Sequence, residues 1–254
     1  MRIAIGIEYD GTAYNGWQRQ RTGDGVQEHI EKALSGVADE AIAVMCAGRT
    51  DTGVHASGQV AHFDSNSDRS DRGWLLGANS NLPDDIAVTW VQRVDDDFHA
   101  RFSASYRRYR YRILNRLERS PLARYRAWWV YEPLDAARMQ EAAGALLGAH
   151  DFSAFRAAGC QASTPNREVT AIALTRDGDW ITLDITANAF LQHMVRNIVG
   201  SLAKVGLGEA PPEWLAEVLS GCDRKKGGIA APPHGLTLVE VGYPANFGLV
   251  NIRA

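Results

Sequence analysis

The sequence predicts an α+β protein made of two similar halves, and three observations support this prediction. Short segments with alternating apolar residues, typical of half-buried strands, lie between longer segments with apolar residues at helical spacing. Residues 2–94 follow the order strand, helix, strand, strand, helix, strand, and a second series of elements begins at Tyr106. The 254 residues, 45% hydrophobic and 22% charged, suffice for one large domain or two small ones.

The first half contains six predicted elements. They are a strand over 2–9, a helix from Val26 to between Gly36 and Asp39, strands over 42–46 and 58–63, a helix over 72–79 and a strand over 86–94. This order resembles a ferredoxin-like or RNA-recognition-type unit. A glycine-rich loop covers residues 10–25, and Trp17 within it has two interpretations: an anchor onto the core or a platform on which a base stacks.

The second half begins with a strand in which Tyr109 and Tyr111 alternate with arginines. The later elements are a strand over 127–131, a helix that begins after an N-cap at Asp135 and ends at Gly148, strands over 168–175 and 180–187 joined by an Asp-Gly turn, helices over 191–205 and 213–220, and a strand over 236–241. We predict two α/β lobes, residues 1–105 and 106–254, that share a mixed, mainly antiparallel sheet with a central cleft. Because no proline-rich or glycine-serine linker separates them, the lobes are expected to act as one rigid unit.

The distribution of charge is more informative than the net charge of -3. The segment from Arg101 to Arg126 contains nine arginines and one acidic residue, Glu118, so it carries +8 and the remainder of the chain carries -11. Such a separation is typical of a basic surface that contacts the phosphates of a nucleic acid.

Other sequence features exclude several classes of protein. The three cysteines, Cys46, Cys160 and Cys222, are widely spaced, which argues against a disulfide framework or a zinc finger. The chain has neither a His-Glu-x-x-His motif nor a Gly-x-x-x-x-Gly-Lys-Ser/Thr phosphate loop, so we expect no metal and no nucleotide cofactor. Without a secretory signal or an apolar run of roughly 18 residues, we expect a cytoplasmic protein with no membrane partner.

The segment Gly48–His55 places a charged pair between two predicted strands. Side chains two residues apart in an extended segment point to the same side, so the guanidinium of Arg49 would orient the carboxylate of Asp51. Two interpretations remain open from these residues: a surface ion pair in a turn, or a reactive carboxylate presented on a loop.

The sequence Gly-Arg-Thr-Asp-Thr-Gly-Val-His around Asp51 resembles the catalytic motif of the bacterial tRNA pseudouridine synthase A family. Further segments match in the same order and extend over nearly the whole chain: Tyr9–Gln18, Phe98–Ser103, Arg107–Tyr111 and Met194–Gly200. The resemblance implies that the cleft is an active site in which Asp51 is the nucleophile. Arg49 and Arg196 would keep its carboxylate ionised, Tyr109 would stack on the uracil, and Leu236 would complete an apolar wall.

The family's substrates are uridines at positions 38 to 40 in the anticodon stem-loop of tRNA. The resemblance implies that the reacting uridine is flipped out of its stem. It also implies that the protein acts as a homodimer. An aspartate can attack the ribose C1′, add to uracil C6 or remove the C2′ proton, and the sequence leaves these routes open. The predicted RNA contacts are Phe98, His99, Arg101, Phe102 and the loop that contains Cys160 and Gln161. The two phenylalanines can equally be core residues. The alternatives are a non-catalytic RNA-binding protein and a glycoside hydrolase, which would require a second carboxylate.

Overall fold

A computed structural model describes residues 1–20 and 23–249, which form two compact units. Unit 1 contains residues 1–106 and the described residues from 238 onward, and unit 2 contains residues 107–237. The mixture of helices and strands confirms the predicted α+β class. The predicted loop over 10–25 includes residues 21 and 22, which lie outside the described residues.

Unit 1 begins with the six elements that the sequence predicts. They are β1 (Arg2–Tyr9), α1 (Val26–Ala38), β2 (Met45–Cys46), β3 (His55–Asp64), α2 (Asp71–Asn81) and β4 (Ile86–Val94). Strand β1 lies between β4 and β3, and β2 pairs with β3; all these pairings are antiparallel. Because β1 is central, its isoleucines Ile3, Ile5 and Ile7 are fully buried. This core supports the long strand β3, which follows the Asp51 loop.

Strand β2 is shorter than the predicted strand over 42–46, because side chains of α1 bind the backbone that a neighbouring strand would otherwise pair with. The Val44 amide donates to the Glu31 carboxylate at 3.0 Å, and the Ile42 amide donates to the Ser35 hydroxyl at 2.9 Å. Ile42 and Val44 are nevertheless buried, as their apolar character predicts.

The remaining elements lie in unit 2, except that β5 begins one residue before it. They are β5 (Tyr106–Asn115), β6 (Trp128–Val130), α3 (Ala136–Ala143), β7 (Gly148–Asp151), β8 (Asn166–Asp177), β9 (Trp180–Ala187), α4 (Met194–Gly206), α5 (Trp214–Ser220) and the start of β10 (Leu236–Gly242). Strands β5, β9, β8 and β7 pair in that order and antiparallel, while β6 runs parallel to β5. The predicted N-cap is confirmed, because the Asp135 carboxylate accepts hydrogen bonds from the amides of Ala137 and Arg138.

The structure differs from the prediction at the end of α3 and in the assignment of the residues from Leu238 onward. Helix α3 ends at Ala143, before one turn of 3-10 helix, and the positive φ of Gly148 (97°) then directs the chain into β7, which was not predicted. From Leu238 onward the chain belongs to unit 1, whereas the predicted second lobe includes it. There the chain follows β3 so closely that a Cβ at Gly58 would lie 2.2 Å from the Val239 carbonyl oxygen. No helix in the described part of the chain is long and apolar enough to cross a membrane.

Candidate active site

The loop that carries Asp51 connects β2 to β3 in unit 1. Two backbone hydrogen bonds join it to the segment that follows β1. The Trp17 amide donates to the Thr50 carbonyl at 3.0 Å, and the Gly53 amide donates to the Tyr14 carbonyl at 3.3 Å. The backbone is therefore held on both sides of Asp51, which limits the positions that its carboxylate can occupy.

Two buried aromatic residues support the same loop. The Tyr9 hydroxyl and the Thr50 hydroxyl form a buried hydrogen bond of 2.7 Å. The Trp17 side chain is 1% exposed, and its ring centroid lies 6.0 Å from that of Tyr9. The interpretation of Trp17 as an anchor is confirmed, because so little of the ring is exposed that a base cannot stack on it.

Glycines allow these segments to approach each other closely. Gly16 has a φ of +99°, and a Cβ there would lie 2.6 Å from the Thr50 carbonyl oxygen. A Cβ at Gly11 would lie 2.0 Å from the Val54 carbonyl oxygen. Since both contacts are to backbone, neither neighbour can move away cheaply. The glycines of the Tyr9–Gln18 segment are thus explained by their contacts with the Asp51 loop.

Positive charges lie near β2, the strand that precedes the loop. Asp51 is half-buried, and Arg49 is exposed. Burial raises the pKa of the Cys46 thiol on β2 to about 12, while the charges of Arg49 and Arg101 act to lower it. Both arginines therefore lie near Cys46, although they are 52 positions apart in the sequence. Two cations near β2 would attract the phosphates of a polyanion.

The segment over 98–102 presents only some of its predicted RNA contacts at the surface. The Phe98 ring is fully buried, with its centroid 5.1 Å from that of Tyr243 and 5.4 Å from that of Phe247. Phe102 is 77% exposed, and Arg101 is exposed as well. The core interpretation therefore holds for Phe98, which anchors the segment, whereas the Phe102 ring lies at the surface.

Behind this segment lies His62 on β3. Its side chain is buried, and its Nδ1 accepts a hydrogen bond of 3.1 Å from the Ala100 amide. Burial lowers the pKa of His62 to about 4, with smaller contributions from the charges of His99 and Arg2. His62 is therefore neutral at pH 7, which leaves the Nδ1 lone pair available to the Ala100 amide.

We expect the free energy of unfolding to depend on pH through His62. Because the pKa is about 4 in the folded protein against an ordinary value of 6.5, the contribution of His62 to stability is complete above pH 6.5 and is lost toward pH 4. Lowering the pH from 7 to 5 should remove about 2 kcal/mol through this residue. Urea unfolding at both pH values should show a smaller loss for His62→Gln than for the wild type. Equal losses in the two proteins would contradict the assignment.

In unit 2, Arg196 lies on α4 and holds the loop that leads to Leu236. Its Nε donates to the Ala231 carbonyl at 2.8 Å, and the Ala231 amide donates back to the Arg196 carbonyl at 3.0 Å. The buried Tyr111 hydroxyl donates to the Pro232 carbonyl at 2.7 Å. Burial raises the pKa of Tyr111 far above its usual value, and the charge of Arg196 opposes this shift. Leu236 is 5% exposed and begins β10 directly after this loop.

Strand β5 has the alternation that the sequence predicts. Tyr109 is 8% exposed, and its ring centroid lies 5.0 Å from that of Phe190 in an edge-to-face contact. Its neighbours Arg108 and Arg110 are exposed, and Arg110 forms a 2.9 Å ion pair with Asp184 on β9. The contact with Phe190 therefore contributes to the orientation of Tyr109.

The loop with Cys160 and Gln161 is organised by a single arginine. The Arg156 guanidinium donates to the carbonyls of Cys160 and Ala162 at 2.8 and 2.7 Å. Burial raises the pKa of the Cys160 thiol, but hydrogen bonds from the Ala162 and Gln192 amides and from Arg156 outweigh this and lower it below its usual value. Gln161 is exposed, and its role stays a prediction.

The predicted site residues fall into two groups. The first group belongs to unit 1 and consists of Arg49, Asp51 and the 98–102 segment. The second group belongs to unit 2 and consists of Tyr109, Cys160, Gln161, Arg196 and Leu236. Gly16 and His62 were not identified from the sequence as parts of the site. The Tyr9–Gln18 motif contained a signal for Gly16, whereas a single histidine in a strand carried none.

Comparison with known proteins identifies relatives over almost the whole chain. The family model described as tRNA pseudouridine synthase matches residues 5–103 and 142–244. A tRNA pseudouridine synthase A from Aeromonas hydrophila is 56% identical over 98% of this chain and 93% of its own length. Proteins of that name from Shewanella amazonensis and Coxiella burnetii are 55% and 54% identical, over 98% of this chain and 95% of their own lengths. Asp51 and Arg196 fall within the matched ranges, and Tyr109 lies between them.

Proposed function

This chain belongs to the tRNA pseudouridine synthase family, and on that premise we propose that it isomerises uridine at position 38, 39 or 40 of the tRNA anticodon stem-loop. Family membership makes the protein an isomerase that acts on tRNA. It therefore favours this activity over a non-catalytic RNA-binding protein and over a glycoside hydrolase. The choice of positions rests on the resemblance of the motifs around Asp51 and Arg196.

One observation carries the catalytic part of the proposal: a half-buried carboxylate, Asp51, lies on a loop held by Trp17 and Tyr9. The isomerisation breaks the bond between the ribose C1′ and uracil N1, forms a bond from C1′ to C5, and moves the C5 proton to solvent while N1 gains one. Attack at C1′, addition at C6 and removal of the C2′ proton all begin with an ionised aspartate. A fixed carboxylate meets this requirement by any of the three routes.

We propose that Arg49 and Arg196 favour the ionised form of Asp51, because a neighbouring guanidinium stabilises a carboxylate. Arg49 also fits a second role, occupying the space that the flipped uridine leaves in the stem. Tyr109 would stack on the uracil and take part in removal of the C5 proton. Leu236 would form the apolar wall of the pocket, and its apolar, 5% exposed side chain supports this assignment.

We propose that the tRNA backbone is held by the exposed Arg101 and by the Cys160–Gln161 loop. Phe102 adds an exposed ring for stacking. A uridine in a stem must leave its stack at a cost of a few kcal/mol, and these contacts provide binding free energy for that step. The resemblance further supports a cytoplasmic homodimer whose tRNA contacts both subunits.

The fold can be specified further by the same resemblance. We propose that unit 1 is a ferredoxin-like lobe, which its strand order β4–β1–β3–β2 supports. We propose the same class for unit 2, on the basis of its repeated alternation of strands and helices. In both lobes the sheet provides a rigid base for residues at strand ends and loops.

The proposed position specificity can be tested with three tRNA transcripts, each with a single uridine among positions 38, 39 and 40. After incubation with the protein, pseudouridine is mapped by carbodiimide modification and primer extension. We expect modification at one or more of these positions and nowhere else in the transcript. Modification confined to another region would contradict the proposed specificity, although the protein would remain a tRNA pseudouridine synthase.

Replacing Arg101 with alanine is expected to weaken tRNA binding rather than the chemical step. Loss of one phosphate contact should make the slope of log K against log salt shallower by about one. Filter binding between 50 and 200 mM salt measures this slope. Arg72→Ala is the matched control, because Arg72 is exposed on α2 in the same unit and its removal changes the net charge equally. If both variants have the wild-type slope, Arg101 is not a phosphate contact.

A further inference from the structure

The Arg101–Phe102 segment is shaped by the side chain of His99. The His99 Nδ1 accepts hydrogen bonds from the Arg101 amide at 3.1 Å and from the Phe102 amide at 3.3 Å. The turn is closed by Ser103, whose amide donates to the His99 carbonyl and whose hydroxyl accepts from the His99 amide, both at 2.9 Å. One imidazole nitrogen therefore holds the backbone of the two most exposed residues in the segment.

The ring of His99 also connects this turn to the core of unit 1. Its centroid lies 4.4 Å from that of the exposed Phe102 and 4.6 Å from that of the buried His62. His62 in turn accepts from the Ala100 amide. The three rings thus contact one another in series from β3 to the surface, edge-on between His62 and His99 and tilted between His99 and Phe102, so the position of Phe102 depends on the position of His99.

The two hydrogen bonds require a lone pair on the His99 Nδ1, which only the neutral imidazole has in this tautomer. Burial, followed by the charge of Arg2, lowers the pKa of His99, and the charge of Arg101 acts in the same direction. The ring is therefore neutral at pH 7. It serves as an acceptor for the turn, and Nδ1 is not available as a donor to a phosphate.

We propose that His99 is a positioning residue, which acts through its Nδ1 acceptor to hold Arg101 and Phe102 in the conformation that binds tRNA. This inference rests on the proposed function, since it assumes that the segment contacts tRNA. It changes the role predicted for His99, from a direct RNA contact to a residue that organises the contacts of its neighbours.

The test compares two variants, one of which keeps the hydrogen-bond acceptor of His99 and the other its aromatic ring. His99→Asn places an amide oxygen near the position of Nδ1 and preserves the acceptor, whereas His99→Phe preserves an aromatic ring and removes the acceptor. Amide hydrogen exchange should be faster at Arg101 and Phe102 in His99→Phe and close to wild type in His99→Asn. Dissociation constants for tRNA should rise about tenfold in His99→Phe, the order expected for two lost hydrogen bonds, and recover to within about threefold in His99→Asn. Single-turnover rates measured below and at saturating enzyme separate this loss of affinity from any loss in the chemical step.

A merely structural role is excluded by repeating His99→Phe in an Arg101→Ala/Phe102→Ala background. If His99 acts through these two side chains, the substitution there should change tRNA affinity by less than about twofold. A full tenfold loss in that background, or wild-type affinity of His99→Phe by itself, would overturn the inference. Tight tRNA binding by a wild-type protein that forms no pseudouridine would instead contradict the proposed function and leave this inference standing.

Discussion

Replacing Asp51 with alanine is expected to lower the rate of pseudouridine formation by about four orders of magnitude or more, with tRNA affinity changed by only a few-fold. The physical reason is that every route open to this reaction begins with an ionised carboxylate, and the backbone around Asp51 is fixed by its contacts with Trp17 and Tyr14. The carboxylate itself would be repelled by phosphates, so its removal should not weaken RNA binding. Single-turnover rates and filter binding on the same tRNA transcript measure the two quantities.

Asp84→Ala is the control for this experiment. Asp84 is exposed in unit 1, so its replacement changes the net charge by the same amount away from the Asp51 loop. It should retain the wild-type rate. If Asp51→Ala keeps a rate within about tenfold of the wild type, or loses rate only in proportion to lost affinity, Asp51 is not the reacting group.

The substitution Gly16→Ala is expected to lower the rate by about a hundredfold without touching any proposed catalytic group. Its methyl group would lie 2.6 Å from the Thr50 carbonyl oxygen and 3.1 Å from the Asp51 carbonyl carbon, at a φ of +99°. Because both neighbours are backbone, the loop must move, and a displacement of about 1 Å at a reacting group can cost that factor. The expected result is a lower kcat together with a tRNA dissociation constant close to that of the wild type.

Gly36→Ala provides the matched control on the same unit. Gly36 lies in α1, and no atom lies within 4 Å of the position of the added methyl group. Alanine there should raise stability by up to about 1 kcal/mol and leave the rate unchanged. If Gly16→Ala is as active as Gly36→Ala, the position of the loop does not limit catalysis. Circular dichroism and urea unfolding show whether Gly16→Ala remains folded.

Periodicity was sufficient to predict most of the elements. Strand β1 and strand β4 were predicted with the bounds that the structure has, because apolar residues alternate along β1 and over the first half of β4. The predicted elements differ from the observed ones where a residue distant in the sequence determines the backbone hydrogen bonds. The predicted strand over 42–46 is reduced to Met45–Cys46 because Glu31 binds the Val44 amide. Strand β7 exists through its pairing with β8, which four residues of sequence do not reveal.

Motifs located the candidate residues, but they could not distinguish surface from core. Phe98 and Phe102 have equivalent sequence contexts, yet Phe98 is buried by Tyr243 and Phe247, which lie about 145 positions away in the sequence. His99 was predicted as a contact from its aromatic and basic neighbours. Its use as a backbone acceptor depends on the turn geometry, which only the structure describes.

The most direct test of the central claim is the release of tritium from a tRNA transcript labelled with [5-³H]uridine, measured for wild type and Asp51→Ala side by side. Formation of the new bond at C5 displaces the label from that carbon, so each turnover releases one tritium to water. We predict stoichiometric release by the wild type and none above background by Asp51→Ala, although both proteins bind the tRNA. Release by Asp51→Ala at a rate close to that of the wild type would contradict the assignment of Asp51 as the reacting group.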